Sequence, residues 1–208
     1  PLWSRGLGDV YKRQTWYNAA RFVNWLNNGA TSTSSTETGA YNLNGATTGD
    51  FAIQPGAKYW IPTENQWYKA AYYDQSLKGG QGGYWNIATQ SNAPSYPYQG
   101  APNSVPAANV NNAANYNDYV RTDARIKLTN VGAYTSSDSF YGTFDQAGNL
   151  WEFNNDYFNG NHIARGGSWS YGYTPIESTH RRDYADFYRD DDTGFRIATL
   201  ASTPAAAT

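Results

Sequence analysis

The sequence predicts a mixed α+β domain with little regular structure, and three observations predict it. Two stretches carry helical spacing, at 16–28 and from Thr63 onward. Short aromatic or glycine-bearing strands gather in the C-terminal third. The rest is dominated by Gly, Asn, Ser, Thr and Tyr. Aromatics make up 17% of the 208 residues, led by 19 Tyr and 8 Trp, against 15% charged residues. That is not a helical-bundle composition; it suits large rings that pin long loops onto a small scaffold. The length allows one domain with a real core, or at most two small ones.

In the first helix Trp16, Ala19, Ala20, Val23 and Leu26 share a face, and Gly29 follows as a stop. Residues 30–50 are rich in Thr, Ser and Gly and read as a loop. Tyr59-Trp60-Ile61-Pro62 reads as a short strand leading into the second helix. There Thr63 and Gln66 have capping-box spacing, and Trp67, Ala70 and Ala71 supply the buried face. From about 75 to 140 few segments are periodic, and loops of that length are usually functional or stapled by metal. GTFDQAGNLWEF (142–153) is an oxygen-rich turn entering an aromatic strand. ARGGSW (164–169) reads as a strand whose glycine pair admits a close backbone, GFRIA (194–198) as a last strand, and ASTPAAAT as a linker.

With no cysteine, disulfides, zinc ribbons and thiol nucleophiles are excluded. A formal charge of -2 without a Lys/Arg cluster argues against nucleic acid. Mean hydropathy is -0.75 and no apolar run reaches membrane-spanning length, so membrane attachment would need an anchor beyond these residues. Trp3 to Gln14, WSRGLGDVYKRQ, resembles the in-frame translation of a transposase-type sequencing adapter. Residues 1–14 are therefore set apart from the fold, as a metagenomic assembly scar. Arg5, Lys12 and Arg13 against Asp9 give that segment +2, leaving -4 on the remainder. The expected division is 1–14 artefact, 15–199 an N-terminally truncated domain that has lost any signal peptide, and 200–208 tail.

In order, WYNAARFVNWLN, YWIPTENQWYKAAYYD, the Ala114-Asn115-Tyr116 triplet, YGTFDQAGNLWEF, ARGGSW and GFRIA resemble the formylglycine-generating enzyme, or sulfatase-modifying factor, family. The likeness covers about 15–199 and is greatest to a bacterial branch whose members are commonly exported. It implies a C-type-lectin-like α+β fold with two helices, small antiparallel sheets and much irregular chain. It also implies a calcium ion held by Asp145 and Glu152 through side chains and by Gly148 and Leu150 through carbonyls. Such a set of hard oxygens suits Ca²⁺. A second implied site uses Asn115 and Tyr116, with Asp118 or Asp123 as acidic partner. A carboxylate satisfied by backbone N–H groups is the plainer reading of Glu152.

Active members hold copper with two cysteines after the RGGS strand. Those positions fall at Tyr171 and Ile176, which offer no soft thiolate, so no copper is expected. His162 and His180 read as surface or hydrogen-bonding residues rather than ligands. Asp183, Asp186, Asp190, Asp191 and Asp192 lack EF-hand spacing and read as a solvated loop. Gly79-Gly80-Gln81-Gly82-Gly83 lacks the Lys and helix of a phosphate loop.

Segment 170–193 has the Tyr, Ser, Asp and Arg content of adaptable binding surfaces. Tyr171, Tyr173, Arg181, Arg182, Tyr184, Asp186 and Tyr188 form the expected ligand face, for a protein, peptide or glycan. The equally weighted alternative is a polar loop with its rings tucked inward. The leading expectation is a non-catalytic, calcium-stabilised, secreted or surface-attached binding module. The alternatives are a metal-dependent oxidoreductase of the same superfamily with different chemistry, and a diversity-generated variable binding protein.

Overall fold

The computed structural model describes residues 14–92, 96–97, 113–116 and 128–200. Asp118, Asp123, the segment 1–13 and the tail 201–208 lie outside them. Helix α1 spans Trp16–Asn27, with the Thr15 hydroxyl accepting the Asn18 N–H at 3.3 Å and Gly29 beyond the end at φ 92°. Its predicted apolar face is buried except for Leu26, which is half-buried. The face also buries a polar residue. Asn24 is fully covered: its amide donates to the carbonyls of Thr36 and Tyr41, both at 2.9 Å, and its oxygen accepts the Tyr41 N–H at 2.8 Å. Nearby, Arg21 pairs with Glu37 at 2.6 Å, and Glu37 accepts the Gly45 N–H at 2.7 Å. These two side chains replace the missing backbone ladder and fold the polar loop back onto α1.

Helix α2 spans Glu64–Tyr72 and opens with the predicted capping box of Thr63 and Gln66. Trp67, Ala71 and Tyr72 are buried beneath it, and Ala70 is half-buried. A third, irregular helical turn, α3 (Leu77–Gly80), contains left-handed Lys78 and Gly79.

Strand β1 (Tyr59–Trp60) pairs antiparallel with β10 (Ala198–Thr199), and β2 (Tyr73–Asp74) with β3 (Gly83–Tyr84). Strands β4 (Tyr96–Pro97) and β5 (Ala113–Ala114) run parallel. The main sheet has four strands in the order β8 (Arg182–Ala185), β7 (Asn161–Arg165), β6 (Trp151–Phe158), β9 (Thr193–Phe195). Its neighbours are antiparallel except β6 and β9, which are parallel.

Two details differ from the sequence reading. Strand β7 stops at Arg165, before the glycine pair, because Gly166 and Gly167 turn the chain at φ 95° and 70°. The close approach survives in the turn: a Cβ on Gly167 would lie 2.8 Å from Ile176 Cγ2. The GFRIA segment is split into the end of β9 and the start of β10. One core cluster joins α1 to the main sheet through Trp16, Tyr17, Tyr41, Trp151 and Tyr184. A second lies under α2, around Trp67, Tyr72, Ile87 and Ile176. Among the described residues no helix is long and apolar enough to cross a membrane.

Candidate functional site

The turn entering β6 is built from three left-handed residues, Asp145, Gly148 and Asn149. It docks on Asn115, whose carbonyl accepts the Asn149 N–H at 2.8 Å and whose amide donates to the Asn149 side chain at 3.1 Å. The segments expected to hold two calcium ions therefore touch each other. Tyr116 is buried beside them, edge-on to Tyr173 at 6.0 Å. The Gly148 carbonyl accepts the Leu150 N–H at 2.9 Å.

Asp145 and Glu152 line a cavity of about 180 Å³ together with Val131, Leu150 and Phe195. One Asp145 oxygen accepts the Gly132 N–H at 2.6 Å; the other is buried with no hydrogen-bond partner among the described residues. Burial pushes this carboxyl group above its ordinary pKa. An orphaned, desolvated carboxylate oxygen on a residue that lines a small cavity fits a hard cation.

Glu152 is placed differently. Arg196 reaches its two oxygens at 2.5 and 2.6 Å, and the Trp67 indole donates at 2.5 Å. The arginine of the GFR segment, rather than backbone N–H groups, is its counterpart. For Glu152 to join a calcium shell, it would have to share an oxygen already held by these donors.

The positions that the resemblance aligns with copper-binding cysteines hold a half-buried tyrosine and a core isoleucine. Ile176 is fully buried in the turn packed on Gly167. The Tyr171 hydroxyl accepts a short hydrogen bond from Arg182. That guanidinium lies 4.9 Å from the Tyr184 ring centroid, 5.0 Å from Tyr171 and 5.9 Å from Trp151. Tyr184 is 2% exposed, stacks on Tyr188 at 4.2 Å, and its hydroxyl is buried without a hydrogen-bond partner among the described residues. Asp192 is buried beside them. One of its oxygens accepts the Ser168 hydroxyl at 2.8 Å and the other has no such partner among the described residues; burial holds its pKa high.

The seven residues of the expected ligand face thus divide. Tyr171, Arg182, Tyr184 and Tyr188 form one aromatic and guanidinium cluster, with Tyr184 beneath the surface. Tyr173 packs against Tyr116. Asp186 turns inward, accepting the Gly49 N–H and the Tyr157 hydroxyl, both at 3.0 Å. Arg181 points to α2, where Glu64 holds it at 3.1 Å and Arg165 at 2.6 Å.

Among the acidic residues of that loop, Asp186 and Asp192 are therefore not solvated: both side chains are buried, the first held by Gly49 and Tyr157 and the second by Ser168. The histidines also differ from expectation. His162 is fully buried, stacked on Trp16, and burial pushes its pKa down to about 3. His180 is half-buried near Trp151; burial, then Arg182 and Arg165, lower its pKa. Sequence reasoning missed Arg196, Glu64 and Ser168. Each stood inside a noted motif, but the partner that gives it a role is distant in sequence.

The family described as sulfatase-modifying factor enzyme 1-like domain matches residues 13–201. No curated protein sequence matches the chain. Among solved structures, Treponema denticola variable protein 1 superposes with a TM-score of 0.55 at 19% identity, over 91% of this chain and 70% of that one. The crystal structure of CarF superposes with a TM-score of 0.54 at 17% identity, over 91% and 68%. At such identities the likeness is one of fold, and it agrees with the α+β fold implied by the sequence.

Proposed function

The chain belongs to the sulfatase-modifying factor enzyme 1-like domain family, and within it we propose a non-catalytic, extracytoplasmic binding module whose loops are stapled by calcium. One observation carries this reading: Tyr171 and Ile176 stand at the copper positions, the first engaged by Arg182 and the second sealed in the core. Neither supplies the soft donor that copper(I) chemistry requires. In their place a guanidinium sits among Tyr171, Tyr184 and Tyr188, residue types that give contact area and adaptable hydrogen bonds at low entropic cost. A protein, peptide or glycan is the ligand class this surface suits. Calcium is supported by the orphaned Asp145 oxygen.

The test is to probe the purified domain, in calcium, on peptide and glycan arrays beside Arg182→Gln. Discrete ligands that the variant binds at least tenfold more weakly support the module. Absence of binding on both arrays, or binding indifferent to Arg182, overturns it. Metal analysis of the full-length protein adds a second check, since stoichiometric iron or copper would favour an enzyme.

The shared fold with a protein named as variable supports a second reading, in which segment 165–198 is diversified between copies of the gene. A neighbouring reverse transcriptase and a near-copy of that coding stretch would establish it, and their absence from the genomic surroundings would end it.

A further inference from the structure

At the start of α2 an open cleft of about 390 Å³ lies between the helix and the segment that follows the glycine turn. Glu64, Asn65, Tyr68, Arg165, Thr179 and Arg181 line it. Two guanidinium groups face a single carboxylate there. Arg165 is spent: it reaches Glu64 at 2.6 Å and the carbonyls of Ser178 and His180 at 2.9 Å each, with its plane 4.9 Å from the Tyr68 ring centroid. Arg181 is not spent. Its side chain is 45% exposed, rests 5.0 Å from the Phe158 ring centroid, and gives one N–H to Glu64. An arginine fork has five donors, so most of this one remains for a ligand.

The other groups at the cleft are also uncommitted. Among the described residues the Thr179 hydroxyl, the Asn65 amide and the Tyr68 hydroxyl have no hydrogen-bond partner. The one carboxylate, Glu64, is saturated by the two arginines. Among its lining groups the cleft therefore offers one excess positive charge, a largely free guanidinium fork, and amide and hydroxyl groups that can donate or accept. A carboxylate is acceptor-only and planar, which matches a guanidinium fork in number and shape. The exposed ring of Phe158 on the rim adds an apolar shoulder of the kind a peptide chain can cover.

We infer that this cleft receives a carboxylate of an acidic peptide, with Arg181 as the recognising residue. This rests on reading the chain as a binding module and assigns part of its ligand chemistry. It places the charged anchor about the start of α2, apart from the Arg182 cluster.

The experiment is calorimetric titration with three probes: an acetylated, amidated tripeptide with a central Glu, the same peptide with Gln, and glucuronate. Binding of the Glu peptide, at least tenfold weaker in Arg181→Gln and tenfold weaker for the Gln peptide, is the expected pattern. Thr179→Ala and Asn65→Ala, both at exposed positions, should weaken it about threefold and guard against a folding defect in the arginine variant. Equal binding of the Glu and Gln peptides, indifference to Arg181, no binding of the Glu peptide, or tighter binding of glucuronate each overturns the inference. Array ligands that depend on Arg182 but not on Arg181 would leave the binding module standing while this cleft fails.

Discussion

The Trp16 indole lies flat on the His162 imidazole, with ring centroids 4.0 Å apart and planes 7° from parallel. The pair joins the first turn of α1 to the start of β7 beside the larger core cluster. Tyr17 and Tyr157 meet the imidazole edge-on at 5.7 and 4.8 Å, and Asp186 stops 3.9 Å from Nε2, beyond hydrogen-bond reach.

This placement predicts a defined acid sensitivity. Burial lowers the folded pKa of His162 from 6.5 to about 3. Between those values the unfolded imidazole takes a proton that the folded one refuses. The stabilisation is therefore full above pH 6.5 and is lost as pH falls toward 3, by at most about 1.4 kcal/mol per pH unit. His162→Phe keeps a ring on Trp16 and should flatten the fall in urea midpoint between pH 6.5 and 4. Parallel pH profiles for the two proteins would remove His162 as the source.

Breaking the Glu152 pair should be costly. Glu152→Gln leaves Arg196 facing a neutral amide in a half-buried site and weakens the Trp67 contact. Loss of one partner of a buried pair costs about 3–5 kcal/mol, which in a domain of this size lowers Tm by roughly 6–20 °C. A change within 2 °C of wild type would show that Arg196 is solvated rather than paired in solution.

Calcium should act through Asp145. In chelator, Asp145→Asn should be as stable as wild type or more so, because it removes a buried carboxylate whose second oxygen lacks a partner. With calcium at about a hundredfold over Kd, wild type should gain about 2.7 kcal/mol, and the variant nothing. Thermal melts in chelator and in millimolar calcium decide the point. Equal calcium shifts in both proteins would place the ion elsewhere.

Two glycines with similar torsions should respond differently. Gly148 and Gly45 have φ of 77° and 84°, yet a Cβ on Gly148 would lie 2.3 Å from the Asn115 carbonyl oxygen, and one on Gly45 meets nothing within 4 Å. Gly45→Ala should cost about 1–2 kcal/mol, from the left-handed backbone alone. Gly148→Ala adds a backbone collision and should cost roughly 3–5 kcal/mol. Denaturant midpoints that agree for the two variants would mean the turn can move away from Asn115.

What could be read from the sequence was what neighbours decide. The faces of α1 and α2, the box of Thr63 and Gln66, and the close approach at the glycine pair depend on residues within a few positions. Leu26 departed because it sits at the fraying end of α1. The partners of Glu152 were hidden, since Arg196 reaches it only through a parallel register that sets Glu152 opposite Gly194. His162 was hidden likewise. Its strand is covered by α1, a packing that no local pattern around NHIAR announces. The copper positions were legible as residue types, but that Ile176 belongs to the core and Tyr171 to a guanidinium cluster is a fact of tertiary placement.

The grip of Asn24 on residues 36 and 41 has a consequence for how this chain meets proteases and solvent. A stretch without helix or strand is ordinarily where amides exchange fastest and where nicking begins. Here the Tyr41 amide and carbonyl are held by a side chain from inside a helix, so the segment about residues 36–45 should exchange with the slow kinetics of α1 itself. The first cuts should fall nearer 30–35, between the end of the helix and its tether. Asn24 thus sets the boundary between the part of this loop that could be lengthened or varied freely and the part that behaves as scaffold.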